Sequence, residues 1–418
     1  MSSEWPLFPL EDCLDALIDY RGKTPEKTTS GIPLITAKVI KGGRIEKPDE
    51  FIAIDNYDAW MRRGIPECGD VVLTVEAPLG EVAQLGPEKI ALAQRVVTLR
   101  GKANFLDSTY LLYWLQSEDA QEQLKARATG TTVVGIKQSE LRKLSVPVPP
   151  ILVQHEVSEI LRSLDDRITL LRETNTTLEA IAQALFKSWF VDVDPVHAKM
   201  QGRAPEGMDE ATAALFPDSF EESELGPVPK GWRNVSLKEV VSIHDSKRIP
   251  LSGQERDKRQ GPYPYYGAAA LMDAVDDYLF DGVYLLTGED GSVADANGYP
   301  IMQYVWGKFW VNNHAHILQG RDGVATEHVM LALQRTNITP YITGAVQAKL
   351  SQTNMWRINF LKPAREVAEH FGCLLESLFV HFRHNSEQAK TLATLRDTLL
   401  PRLISGELRA SSIAGDVA

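Results

Sequence analysis

Cysteine is scarce in this 418-residue chain: Cys13, Cys68 and Cys373 are far apart and odd in number. Such a set builds neither a disulfide framework nor a metal-ligand spacing, and it points to a reducing, cytoplasmic home. The sequons Asn175-Thr-Thr, Asn234-Val-Ser and Asn337-Ile-Thr are then chance matches. No apolar run reaches membrane-spanning length, and the opening Met1-Ser-Ser-Glu-Trp-Pro lacks the basic and apolar regions of a signal peptide, so no membrane contact is expected. No G-x-x-x-x-G-K-S/T loop is present for ATP, and no Asn/Asp-Pro-Pro-aromatic tetrapeptide for amino-methyl transfer. Positive charge is in deficit, with 44 Lys and Arg against 56 Asp and Glu and a net charge of −12. That argues only mildly against a polyanionic partner, because local basic patches decide such contacts.

What is present is a globular composition and a duplication. Hydrophobic residues make up 44% and charged residues 24%, and the length calls for two or more domains. Between Pro150 and Pro195, apolar residues fall at Val157, Leu161, Leu164, Ile168, Leu171, Leu178, Ala182, Leu185 and Trp189, with Asn175 on the same line. These alternating steps of four and three are a coiled-coil seam. A second seam runs through Val367, Phe371, Leu374, Leu378, His381, Asn385, Gln388, Leu392, Leu395 and Leu399, and places Asn385 at the step of Asn175.

The segments before the two helices also match. Gly69–Thr74 is answered by Gly282–Thr287, Ala93–Gly101 by Asn312–Gly320, and Gly130–Pro149 by Gly344–Pro363. The expected organisation is a mixed domain at 1–150, a long helix at 151–191, an irregular Gly/Pro-rich connector at 192–231, a second mixed domain at 232–362, a long helix at 363–406 and a disordered tail at 407–418. The fold class is α+β, with two similar α/β domains joined by two long helices. In the first domain Tyr110–Ala128 has helical spacing.

Two like domains on a rod present two like surfaces at a set distance. A helix from Val157 to Trp189 spans roughly 50 Å at about 1.5 Å per residue, enough for two domains to reach successive major grooves about 34 Å apart. The loops carry suitable donors. Lys38, Lys41 and Arg44, then Gln94 and Arg95, stand in the first domain. In the second, Lys247 and Arg248, then Arg256, Lys258 and Arg259, precede Tyr263, Tyr265 and Tyr266, and Asn312-Asn313-His314 replaces Gln94-Arg95. Such side chains reach phosphates and base edges. Any one of them also fits a solvated face or a packed tyrosine. Glu289-Asp290, within Gly288–Ser292, would repel phosphate unless a cation intervened, which suits a turn lining the recognition surface. His314 and His316 share a strand face without a third ligand at clear spacing, so no metal site is expected.

Several segments in order resemble the specificity subunit of a type I restriction-modification system: Gly130-Thr-Thr-Val-Val-Gly-Ile-Lys through Pro147-Val-Pro-Pro150, Gln154-His-Glu-Val, Leu185-Phe-Lys-Ser-Trp-Phe190, Leu225-Gly-Pro-Val-Pro-Lys-Gly-Trp232, and Leu399-Leu-Pro-Arg-Leu-Ile-Ser-Gly-Glu-Leu408. The resemblance covers nearly all of the chain. It departs at Ala364-Arg365-Glu366, a looser match than Gln154-His155-Glu156, and at His381 and Gln388, which make the second seam more polar. It implies that the domains are target-recognition domains, each reading one half of a bipartite, asymmetric site on double-stranded DNA. It also implies that the helices form an antiparallel coiled coil that sets the spacer and docks two modification (methyltransferase) subunits. S-adenosylmethionine, ATP and Mg2+ would serve those partners and the restriction (translocase/nuclease) subunits; this chain would be non-catalytic, with no cofactor of its own. The alternatives are a coiled-coil scaffold, a recognition subunit of a methyltransferase-only system, and a stand-alone methyltransferase or nuclease.

Overall fold

The computed structural model describes residues 5–130, 133–344 and 347–410. Thr131 and Thr132 of the glycine-bracketed loop, Ala345 and Val346 of its counterpart, and residues 411–418 of the expected tail lie outside the described residues. The chain divides into two compact units, Met1–Leu170 with Gln388–Ala418, and Leu171–Glu387. This differs from a serial order of domains and helices, because each unit takes part of both long helices. A lone amphipathic helix has nothing to bury its apolar stripe against, so each helix half joins the core beside it.

In the first unit, β1 (Leu14–Asp19), β2 (Val71–Val75), β3 (Leu79–Gln84) and β4 (Val96–Gly101) form an antiparallel sheet of order β1-β4-β2-β3. All five residues of β2 are buried, so both faces of this strand are covered. Val71, Leu73, Val75, Val97 and Leu99 share a core with Tyr110, Leu111 and Trp114 of helix α1 (Ser108–Gln116), and Val72 and Val96 share another with Leu34, Ile35 and Leu92. The Asp107 side chain caps α1 by accepting from Tyr110 N at 2.8 Å. The helix expected over Tyr110–Ala128 breaks at Ser117, whose extended backbone ends α1 and whose hydroxyl caps a second helix, Glu118–Arg127.

In the second unit, β5 (Val241–Ile243), β6 (Tyr284–Gly288), β7 (Met302–Val305) and β8 (Ala315–Gly320) repeat the arrangement in the order β5-β8-β6-β7, and helix α2 (Thr326–Leu333) follows β8. The repeat extends to single bonds. Gly101 N donates to Ser108 Oγ at 3.0 Å, and Gly320 N donates to Thr326 Oγ1 at 3.0 Å. The connector is more regular than its composition suggested. It holds helices Asp194–Met200 and Glu210–Ala214 and the strand pair Phe220–Glu221 with Val228–Pro229, and it sends Val196 and Phe216 into the core. Pro195 opens the first of these helices, where a missing N–H costs nothing.

The first long helix is Ile151–Phe186, continued by a wide π turn at Lys187–Val191; the second is Arg365–Ser405. Near the start of the first helix, Gln154 is buried; its side chain accepts from Asp107 N and donates to the Phe105 and Pro149 carbonyls. Within the first unit, Val157 and Leu161 share a core with Leu400, Leu403 and Ile404, and Asp165 meets Arg396 at 2.6 Å. Within the second, Asn175 meets Asn385 and Phe186 packs on Phe371. Later residues of one helix face earlier residues of the other, so the helices run antiparallel.

On the first seam Val157, Leu161, Ile168, Leu171, Asn175 and Ala182 are buried, while Leu164, Leu178 and Leu185 are half-buried. The second seam requires a correction. Val367 and Phe371 are buried, but beyond them the buried line passes through Leu375, Phe379, Ala389, Leu400 and Leu403, with Phe382, Ser386 and Arg396 half-buried on it. The expected line through Leu374, Leu378, His381, Asn385, Gln388, Leu392, Leu395 and Leu399 lies one residue earlier, with His381 and Leu395 exposed and the others half-buried. The second helix packs on a globular core as well as on its partner, and that core rotates its buried face. The tail expected to be disordered from residue 407 is packed at its start: Leu408 lies against the first unit's core and Ala410 is buried.

Candidate DNA interface

One junction occurs in both units. In the first, β2 runs out at Glu76, and Arg95 precedes β4; Arg95 Nε lies 3.0 Å from Glu76 Oε1. The loop Thr129–Gly135 closes beside them, with Ile136 N donating to Val75 O at 3.0 Å and Glu76 bridging Gly135. In the second, Asp290 follows β6 and His314 precedes β8, with His314 Nδ1 2.5 Å from Asp290 Oδ1. Thr343 bridges Lys349 there, Leu350 N donates to Glu289 O at 2.8 Å, and Asp290 bridges Lys349. An arginine in one repeat and a histidine in the other thus sit on two different carboxylates in one backbone frame.

A glycine makes each loop possible. Gly130 (φ +114°) and Gly344 (φ +95°) adopt left-handed backbone, and a Cβ on either would sit 2.1 Å from a carbonyl oxygen, that of Val133 or Gln347.

The sequence-predicted residues of the first unit fall in two places. Lys38, Gln94 and Arg95 line one cleft of about 180 Å³ with Ala37, Ala93 and Glu50. Hydrogen bonds to Asp49 and then Glu50 raise the pKa of the Lys38 ammonium. Lys41 pairs with Glu46 on the surface. Arg44 instead lines a separate cleft with Asp165 and Asp166, and its Nη2 donates to Asp165 O at 3.4 Å.

In the second unit several of the residues expected to contact DNA are held by other groups of the protein. Arg248 is held by Glu289 at 2.7 Å and by the Asn313 and Ala315 carbonyls at 3.2 and 2.8 Å. Arg256 bonds Asp273 and the Leu251 carbonyl beneath the Tyr265 ring; Tyr265 is buried and its hydroxyl accepts from Leu251 N. Asn312 is buried, with Oδ1 accepting from His314 N at 2.8 Å. Arg259 pairs with Asp276 over the Trp310 ring. The acidic partners Glu289, Asp273 and Asp276 lie well apart in sequence from their arginines, so a Lys/Arg cluster cannot reveal them. Lys247, Lys258 and Asn313 are exposed.

The remaining residues separate along two parallel strands. Tyr265 and Tyr266 of Gln260–Tyr266 stand beside Trp310 and Val311 of Lys308–Val311. Asn313 and His314 therefore lie beyond one end of this pair, and Tyr263 lies towards the other. Tyr263 packs on Tyr278 at 5.1 Å and Lys308 covers the Tyr278 ring at 4.6 Å, two neighbours that the sequence reading missed. Glu76 was missed as well. An acid within two residues of the end of a buried strand, present at both Glu76 and Asp290, was the available signal. Cations do intervene at Glu289, where Arg248 and Lys349 lie at 2.7 and 3.5 Å, and the His314 ring lies on Asp290.

Asp245, Glu289 and His316 bring ligand-type atoms within 4.8 Å of one another. His316 Nδ1 faces Asp245 Oδ2 at 2.6 Å and Nε2 faces Leu350 O at 2.7 Å. Both ring nitrogens are thus engaged by protein oxygens. Burial raises the Asp245 pKa, but the bond from His316, the Ile317 N–H and the nearby Arg248 outweigh it and hold the carboxyl below its ordinary 3.8. This cluster knits the junction together.

Residues 3–180 and 229–367, one stretch for each repeat, match the family model for the type I restriction modification DNA specificity domain. The chain belongs to this family. It is 26% identical over 385 residues to the HindI specificity subunit of Haemophilus influenzae, covering 77% of this chain and 82% of that protein. It is 24% identical over 421 residues to the MjaIX specificity subunit of Methanocaldococcus jannaschii, covering 94% and 90%. The fold is similar to that of the S subunit of a type I restriction-modification system from M. genitalium, with a TM-score of 0.58 at 18% identity over 96% of each chain. The family is one of specificity subunits, which are non-catalytic and work in complexes with other subunits and DNA. Among the described residues no helix is long and apolar enough to cross a membrane.

Proposed function

We propose that each globular domain of this specificity-family chain reads one half of a bipartite, asymmetric DNA site, with the junction Arg95–Glu76 in one domain and His314–Asp290 in the other at the reading surface. The single observation that carries this is that one backbone frame presents different donors in the two repeats, as two readers of different half-sites require. Lys38 and Gln94 belong to the first surface, and Asn313 to the second. The acid behind each donor orients it without cancelling its reach, since Arg95 and His314 remain close to half exposed at their side chains.

On this reading the helix pair sets the spacer between half-sites and docks two modification subunits, which use S-adenosylmethionine. Restriction subunits use ATP and Mg2+. The test is methylation mapping of DNA from cells with and without the gene. Loss of adenine methylation at one split motif supports the proposal; an unchanged methylome overturns it. Inserting one heptad into both helices should lengthen the spacer and leave both half-sites intact.

A further inference from the structure

Each unit carries a hydrogen-bonded bridge of one tyrosine, one carboxylate and one arginine between its domain and the second long helix. In the first unit, Tyr113 of α1 donates its hydroxyl to Asp165 Oδ2 at 3.0 Å, and Arg396 Nη1 donates to Asp165 Oδ1 at 2.6 Å. In the second, Tyr304 of β7 donates to Glu327 Oε1 of α2 at 2.5 Å, and Arg383 Nη1 donates to the Tyr304 hydroxyl and lies 3.3 Å from Glu327. A further acid on the same helix steadies each arginine: Asp397 at 2.7 Å from Arg396 and Glu376 at 2.9 Å from Arg383. Beside the second bridge, Trp306 Nε1 donates to Glu387 Oε1 at 3.0 Å.

The two bridges are alike in chemistry and unlike in origin. The tyrosine sits on a helix in one unit and on a strand in the other. The carboxylate belongs to the first long helix in one unit and to the globular domain in the other. The same chemistry is thus built from non-equivalent positions at the two joints. Apolar packing alone holds a domain on a helix but tolerates small rotations and slides. A guanidinium on a carboxylate is directional, and a nearly buried one is costly to leave half-made. The Glu327 side chain is 6% exposed and that of Arg383 15%.

We propose that Tyr113–Asp165–Arg396 and Tyr304–Glu327–Arg383 are positioning residues that fix the angle of each domain on its own stretch of helix, and so confine the protein to a single spacer length. The inference rests on the recognition reading above. On this proposal the bridges act on recognition through the domains they hold.

The test compares wild type with Tyr113→Phe, Tyr304→Phe and Arg383→Met, each assembled with its modification subunits, by mapping methylated sites. The expected result is the same two half-site sequences, with methylation at spacers one base pair shorter or longer rising about tenfold, the factor that corresponds to about 1.4 kcal/mol. Arg383→Lys should restore part of the spacer discipline. The tyrosine variants remove only a hydroxyl, so they carry the test if Arg383→Met does not fold. A split motif whose spacer stays single in the folded variants overturns this inference alone, and so does an altered half-site sequence. A wild-type map with no split motif overturns the recognition reading and this inference with it.

Discussion

Asn385 donates its side-chain amide to Asn175 Oδ1 at 3.0 Å, joining the two asparagines that stand at matching steps of the two long helices. Asn175 in turn donates to Phe382 O at 3.0 Å and to Ser386 Oγ at 2.9 Å, so its amide is used on both sides at a buried position. A buried amide so satisfied fixes register, because any slip strands its bonds. Asn175→Ala should lower the unfolding free energy by about 1–3 kcal/mol. Asn385→Ala, which leaves both Asn175 donors in place, should cost less. Urea unfolding of the full chain measures both, and equal costs would show that the amide network is not the source.

Arg95→Ala should relax base preference in the first half-site and leave the second as it was; His314→Ala should do the reverse. The loss should be of the order of 1–3 kcal/mol in discrimination for the base contacted. Methylation mapping of each variant reads the two halves separately. Relaxation of both halves by one substitution would contradict independent reading.

Gly130→Ala and Gly344→Ala each force a Cβ to within 2.1 Å of a carbonyl in a left-handed residue. Each should destabilise the fold by at least about 1 kcal/mol. Gly202 (φ +66°) is the control, because a Cβ there would meet nothing within 4 Å, and Gly202→Ala should cost less than either. Thermal unfolding of the three variants ranks them.

Burial alone pushes the His328 imidazole from its ordinary 6.5 down to about 3. Phe190, Phe371 and Phe360 surround it at ring-centroid distances of 4.5, 5.0 and 5.2 Å. The unfolded chain binds a proton near pH 6.5 that the native state refuses until about pH 3, so this group's stability contribution is full above pH 6.5 and shrinks as the pH falls through that window. At pH 5 the loss amounts to about 2 kcal/mol, from one and a half pH units at about 1.36 kcal/mol each. His328→Leu should flatten the fall in stability between neutral pH and pH 5; an unchanged slope would assign it to other groups.

Periodicity and repetition made much of this protein legible. Steps of four and three depend only on local helical geometry, so the two long helices and their paired asparagines stood out in the linear text. The match of Ala93–Gly101 to Asn312–Gly320 likewise placed Arg95 and His314 at one structural position, because buried strands constrain spacing. Periodicity could not choose between adjacent lines on the second helix. Leu374 and Leu375, then Leu378 and Phe379, offer apolar residues on both, and packing against Tyr304 and Phe371's aromatic neighbours made the choice.

The roles of individual charged residues belong to the folded molecule. Arg248, Arg256 and Arg95 look alike in sequence, yet the first two commit their guanidiniums to Glu289, Asp273 and backbone carbonyls, while Arg95 stays half exposed on Glu76. The bridges at Arg383 and Arg396 were equally hidden, since each joins residues from different elements. Local chain geometry writes itself into spacing, which survives in one dimension. An ion pair depends on which distant carboxylate the fold brings within reach, and that is settled only when the chain closes on itself.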